Sequence, residues 1–113
     1  MRAEPTGQEE SPVTDLNLIR DAVLELLGPY GVRRISVFGS FARGDADADS
    51  DIDILVLLED PRRHPLGLLA WVGIEMELAE RLGRPVDLVS EAGLSRHLRP
   101  YVDSEKVVVY EAA

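Results

Sequence analysis

The chain has 113 residues, 45% hydrophobic and 29% charged, which fits one domain able to bury roughly two thirds of its unfolded surface. A formal net charge of −9 argues against holding a nucleic-acid backbone by counterion release, and zero cysteines exclude a disulfide framework and a thiol nucleophile. No apolar run reaches the length of a membrane span and the start shows no basic-then-apolar signal region, so a cytoplasmic protein away from membranes is expected.

Residues 1–13 (MRAEPTGQEESPV) are polar and lack apolar period, so they read as a flexible tail ahead of a domain over 14–113. From Asp15 onward Leu16, Ile19, Val23, Leu26 and Leu27 recur at helical spacing, with Thr14 as N-cap and Gly28-Pro29 as the stop. RRISVFG reads as a short strand ended by Gly39-Ser40. Phe41 to Arg43 then makes one helical turn closed by Gly44, and Asp45 to Ser50 forms a loop. Ile52 to Leu58 is apolar on both pleat faces, the mark of a central strand covered on two sides. After a loop over 59–65 (EDPRRHP), Leu69, Val72, Met76 and Ala79 mark an amphipathic helix ended by Gly83 and Pro85. PVDLV is a further strand, Ser90 caps a short helix running through Leu98, and KVVVYE is a final β-prone segment. There is no internal repeat. This order predicts an α/β (α+β) domain with a small mixed sheet flanked by helices.

Aspartate occupies every second position from Asp45 to Asp53, and the sequence then turns apolar in IDILVLL. Asp51 and Asp53 point to one strand face, about 7 Å apart along it, while Ile52 and Ile54 point into the core. Two carboxylates so placed repel each other unless compensated. They can reach around a pair of cations about 3.5–4 Å apart, the separation used in two-metal phosphoryl transfer. Mg²⁺ suits such a site because it takes oxygen ligands from few carboxylates and fills the rest with water and substrate phosphates. Asp87 is the candidate third ligand, a polar interruption of V-D-L-V that needs a partner, and pairing of its strand beside 52–58 would bring it to the same face. Gly39 lets backbone approach a phosphate closely, Ser40 adds a hydroxyl donor, and Arg43 can grip phosphate with two N–H groups. Acidic groups set between Arg33, Arg34 and Arg43 on one side and Arg62, Arg63 and His64 on the other suit metal ions carrying a polyphosphate.

Asp45, Asp47 and Asp49 invite a calcium-loop reading. It fails because Ser50 stands where that loop needs glycine and Val56 where it needs the bidentate glutamate, so a solvated acidic loop is expected. His64 and His97 lack ligand spacing and read as surface residues, Trp71 and Tyr110 as packing, and Arg62 and Arg63 as solvated.

GSFARGDADADSDID resembles the signature of the DNA polymerase β-like nucleotidyltransferase superfamily. The ARG after Gly-Ser, the later LGRPVDLV, the terminal VVVYE and the short chain narrow the resemblance to the minimal nucleotidyltransferase (MNT) family, over about residues 14 to 111. Members of that family often serve as antitoxins beside HEPN-type toxins. The resemblance implies that Gly39 and Ser40 hold the triphosphate and Arg43 contacts it. Asp51 and Asp53 would bind Mg²⁺, and Asp87 would be the third metal ligand and a possible base. It also implies transfer of AMP from ATP to a tyrosine of a HEPN-type partner with two Mg²⁺ ions, and a hetero-oligomer rather than nucleic-acid or membrane binding. Size points the same way: 113 residues are expected to leave no second domain for an acceptor, so a partner is expected to supply it. Two rival readings are a small-molecule transferase of the aminoglycoside type, which usually carries a helical domain, and an antitoxin that neutralises its partner by stoichiometric contact alone.

Overall fold

The structure is a computed structural model and describes residues 16–59 and 67–112. The expected tail, the Thr14 cap, Arg62, Arg63 and His64 lie outside the described residues. Helix α1 spans Leu16–Leu27 and buries Ile19, Ala22, Val23 and Leu27, a one-sided stripe at spacings of three and four. Gly28 and Pro29 end it in a 3₁₀ turn, and the chain enters strand β1, Val32–Phe38. A single helical turn α2, Ser40–Arg43, stands between β1 and strand β2, Ile52–Leu58. Helix α3, Leu68–Leu82, crosses over to strand β3, Val86–Ser90. Helix α4, Arg99–Glu105, and strand β4, Val107–Glu111, complete the domain.

The sheet order is β3-β2-β1-β4, with β2 and β3 parallel and both other pairings antiparallel. The mixed sheet and the central place of the 52–58 strand are therefore as expected. Ile35, Val37, Ile52, Ile54, Val56 and Leu88 share the core with Ile19, Val23 and Leu27 of α1 and Leu78 and Leu82 of α3. By strand alternation Asp53 and Asp87 stand on the opposite face.

Two expectations are corrected. The helix predicted from Ser90 through Leu98 is absent. Ser90 is the last ladder residue of β3, opposite Val56, and only a 3₁₀ turn over Glu91–Gly93 follows. The helix begins later, at Arg99, because Pro100 lies in its first turn, where a missing N–H costs nothing. The apolar stripe of α3 also has another phase. Leu69 is 89% and Met76 67% exposed, while Leu78 and Leu82 are buried and Trp71 and Ile74 pack against the core. The helix carries two apolar stripes, and contact with the sheet selects the one running through 71, 74, 78 and 82.

Glu91 ties the face opposite α1 and α3 together. It is only 3% exposed, accepts from Arg34 Nη2 at 2.6 Å, and lies 3.6 Å from Arg99 Nη1 and 3.9 Å from Lys106 Nζ. Its backbone carbonyl accepts from Arg99 Nη2 at 2.8 Å, and Arg34 Nη1 reaches Glu111 at 3.0 Å. One carboxylate thus links β1, the turn after β3 and both ends of α4. Burial opposes its charge, but the hydrogen bond from Arg34 and the charges of Lys106, Arg34 and Arg99 outweigh this and hold its pKa below the usual value.

A depressed carboxylate pKa stabilises the fold above the unfolded value, about 4.3 for glutamate, and the gain disappears as pH falls through the folded value. Glu91→Gln is expected to cost about 1–3 kcal/mol at pH 7. In urea denaturation at a series of pH values, its deficit against wild type should shrink below about pH 4.

Candidate active site

The parallel register sets Asp53 of β2 directly beside Asp87 of β3, and the antiparallel register sets Phe38 of β1 on its other side. Neighbouring strands run about 4.8 Å apart, so the two carboxylates leave the sheet side by side. Asp51 lies just before β2, two residues ahead of Asp53, near enough for its charge to act on Asp53. Asp53 and Asp87 are therefore in register, with Asp51 beside them but outside the ladder. Among the described residues no three His, Asp or Glu side chains form a ready-made cation cage, so the three share a field and would close around an ion only by rotating.

Asp53 is half-buried and its neighbours are hostile to its charge. Burial raises its pKa first, then repulsion from Asp87 and from Asp51, with Glu105 adding a little, and Arg43 is the cation that pulls the other way. Paired carboxylates in this setting need positive charge from outside the chain.

The Gly-Ser turn stands directly against them. Gly39 has φ 76° and ψ −152°, a region open essentially to glycine alone, and a Cβ built there would meet Asp53 Oδ2 at 2.3 Å. Glycine is thus required twice, for its backbone angles and for the approach of turn to carboxylate. Ser40 opens α2, and its carbonyl accepts from Gly44 N at 3.0 Å and Asp45 N at 3.1 Å, which folds the turn tightly back on itself. Arg43 is present at the site but engaged, donating to Asp45 at 3.2 Å and to Glu105 of α4 at 3.1 Å. Both ion pairs are exposed and weak, so a phosphate can replace them.

Among the described residues, the edge strand that carries Asp87 has one ladder neighbour, β2. Helix α3 supplies the other side: Glu75 accepts from Leu88 N at 2.8 Å and Trp71 Nε1 donates to Leu88 O at 3.2 Å. These bonds satisfy backbone groups that an open edge would leave bare, and they fix the residue next to Asp87. Trp71 is a packing residue as expected, with this added bond.

The acidic loop is solvated as expected, with Asp45, Asp47 and Asp49 exposed, and it also carries hydrogen bonds of its own. Asp47 Oδ1 accepts from Asp49 N at 2.9 Å and from the Ser50 hydroxyl at 3.1 Å, and Ser50 Oγ accepts from Asp47 N at 2.8 Å. Arg84 Nη1 donates to the carbonyls of Asp47 and Ser50 at 2.7 and 3.0 Å. Sequence reading missed Arg84 and Glu105. Arg84 stood in the quoted LGRPVDLV, but its partners are backbone carbonyls 37 and 34 residues away and leave no mark in the sequence. His97 is exposed, as expected, and Tyr110 packs against the core.

Comparison with known proteins places the chain in a family. The family model described as "Nucleotidyltransferase domain" matches residues 16–110, and the chain belongs to that family. Protein adenylyltransferase MntA of Thermococcus cleftensis is 42% identical over 85 residues, 75% of this chain and 82% of that protein. A toxin–antitoxin crystal structure with AMP-PNP superposes with TM-score 0.69 at 29% identity, covering 81% of this chain and 73% of that one. The tri-AMPylated HEPN toxin of Shewanella oneidensis in complex with its MNT antitoxin gives TM-score 0.65 at 26% identity, covering 87% and 74%.

Gly39→Ala should cost about 1–3 kcal/mol through its backbone angles and displace Asp53 as well. Thermal unfolding with and without Mg²⁺ and ATP checks both effects: the variant should melt below wild type and lose any ligand-induced rise.

Proposed function

We propose that the chain is an MNT antitoxin that transfers AMP from ATP to a tyrosine hydroxyl of a HEPN-type toxin. The observation that carries this reading is the pairing of Asp53 with Asp87 in one register, opposite a glycine turn that touches Asp53. The relative named protein adenylyltransferase and the complex holding an AMPylated HEPN toxin support the acceptor class, and the complex with AMP-PNP supports the nucleotide.

Two Mg²⁺ ions fit the donor set, because the half-buried Asp53 is repelled by Asp87 and Asp51 and, among the described residues, Arg43 is the cation that offsets them. Asp51, Asp53 and Asp87 would hold the ions, which when bound supply charge neutralisation to the triphosphate. Gly39 and Ser40 would cradle the phosphates through backbone N–H groups and the serine hydroxyl, and Arg43 would exchange Asp45 and Glu105 for phosphate oxygens. The tyrosine oxygen forms a bond to the α-phosphorus as the bond from that phosphorus to the bridging oxygen breaks. Pyrophosphate departs with the electron pair, and the phenolic proton passes to a carboxylate oxygen of Asp87. Positioning and charge neutralisation account for the rate, with no covalent intermediate on the chain. Among the described residues no helix is long and apolar enough to cross a membrane, and the cytoplasm, which holds ATP and Mg²⁺, is the proposed location.

The test is intact-mass measurement of the partner toxin after incubation with the chain, ATP and Mg²⁺. Whole AMP increments are expected with wild type, and Asp51→Asn with Asp53→Asn should slow their appearance by at least about 10²-fold. A toxin silenced with unchanged mass, equally by both chains, would mean inhibition by contact alone and would overturn the transfer reading.

A further inference from the structure

Asp51 is exposed and lies just outside the ladder, so its position depends on what holds its two neighbours. Both are held by one short turn. Arg84 donates to the carbonyl of Ser50, the residue before Asp51, at 3.0 Å. Pro85 O accepts from Ile52 N, the residue after Asp51, at 2.9 Å. The same guanidinium fastens the loop at Asp47 O at 2.7 Å and lies 5.0 Å from the centroid of the Phe41 ring in α2, directly after Gly39-Ser40. Asp87 follows Arg84 by three residues on the same stretch of chain. One side chain therefore touches both halves of the proposed site and springs from the base of the strand that carries its third acid.

The setting of Arg84 makes a purely structural account incomplete. Arg84 is 8% exposed, its Nη1 bonds go to neutral carbonyls rather than a carboxylate, and its Nε is buried without a partner among the described residues. Burying a cation on such terms is costly, and an apolar side chain would fill the space more cheaply. Both carbonyl bonds leave from Nη1, so an ammonium could make them, but the guanidinium also brings its central carbon to 5.0 Å from the Phe41 ring, a reach a single point charge does not share.

We propose that Arg84 is a positioning residue for AMP transfer, setting Asp51 and the Gly39–Arg43 turn at fixed distances from Asp87. It touches no reacting atom. This inference rests on the transfer reading above, and it assigns the acidic loop a purpose: folded by the Asp47 carboxylate and fastened at its carbonyls by Arg84, the loop delivers Asp51.

The experiment uses the full chain with its toxin, ATP and Mg²⁺, comparing wild type with Arg84→Met and Arg84→Lys. Amide hydrogen exchange over residues 40–52, melting temperature, toxin binding and kcat for AMP transfer are read on each. Arg84→Met should lose exchange protection in that segment and lower kcat about 10²-fold, as a misplacement of about 1 Å does, while toxin binding persists. Arg84→Lys should recover melting temperature more fully than kcat. If either folded variant keeps wild-type kcat, or loses kcat with loop protection unchanged, the inference is overturned; should the methionine variant not fold, the lysine variant is judged by the same criteria. Asp53→Asn separates the two levels. If it transfers AMP at the wild-type rate, the site reading fails, while loop exchange in the Arg84 variants still decides the clamp.

Discussion

The structure depends on one uncomfortable juxtaposition, two aspartates in register on adjacent parallel strands. Asp53 and Asp87 cannot avoid one another, because the ladder that pairs Ile52 with Val86 and Ile54 with Leu88 fixes both backbones. The sheet fixes the separation of their backbones, and only side-chain rotation adjusts the distance between the carboxylates. A folded chain that tolerates this repulsion has its cost covered by the apolar core on the other face, where Ile52, Ile54, Val56 and Leu88 bury against α1 and α3. Stability on one face thus maintains charge conflict on the other, and that conflict makes the site attractive to divalent cations.

Much of the remaining fold serves to keep that conflict in place. Helix α3 closes the edge strand at Leu88 through Trp71 and Glu75, which prevents Asp87 from drifting with a frayed edge. The Glu91 cluster fastens α4 to β1, and α4 in turn brings Glu105 to Arg43. The resting arginine is therefore kept near the site by weak, exposed contacts that a phosphate can displace. Buried, redundant bonds hold the scaffold, whereas exposed, replaceable ones hold Arg43, the group proposed to turn to phosphate.

The placement of the candidate residues was more legible in the sequence than the helices were. Gly39 and Ser40 follow one apolar strand and Asp51 precedes another, and Asp87 interrupts a third that pairs parallel to it. The strand Ile52–Leu58 was readable to the residue because every position in it is apolar except Asp53. The phase of α3 was not readable, since Leu68, Leu69, Val72 and Met76 form as good a stripe as the one the core uses. The helix start at Arg99 was obscured by Pro100, which terminates helices in most positions and begins them in one. Arg84, Glu91 and Glu105 were invisible for a common reason. Their partners are distant in sequence, and for Arg84 they are backbone atoms, which carry no residue identity.

The most direct test is diffraction from crystals grown with Mn²⁺ and a non-hydrolysable ATP analogue, using the anomalous signal of manganese to locate the metal. Density for ions bridged by carboxylate oxygens of residues 51, 53 and 87, with the triphosphate lying along the turn at residue 39, is the predicted result. Manganese found elsewhere, or a side chain at 87 that stays out of the coordination sphere while nucleotide is bound, would contradict the account.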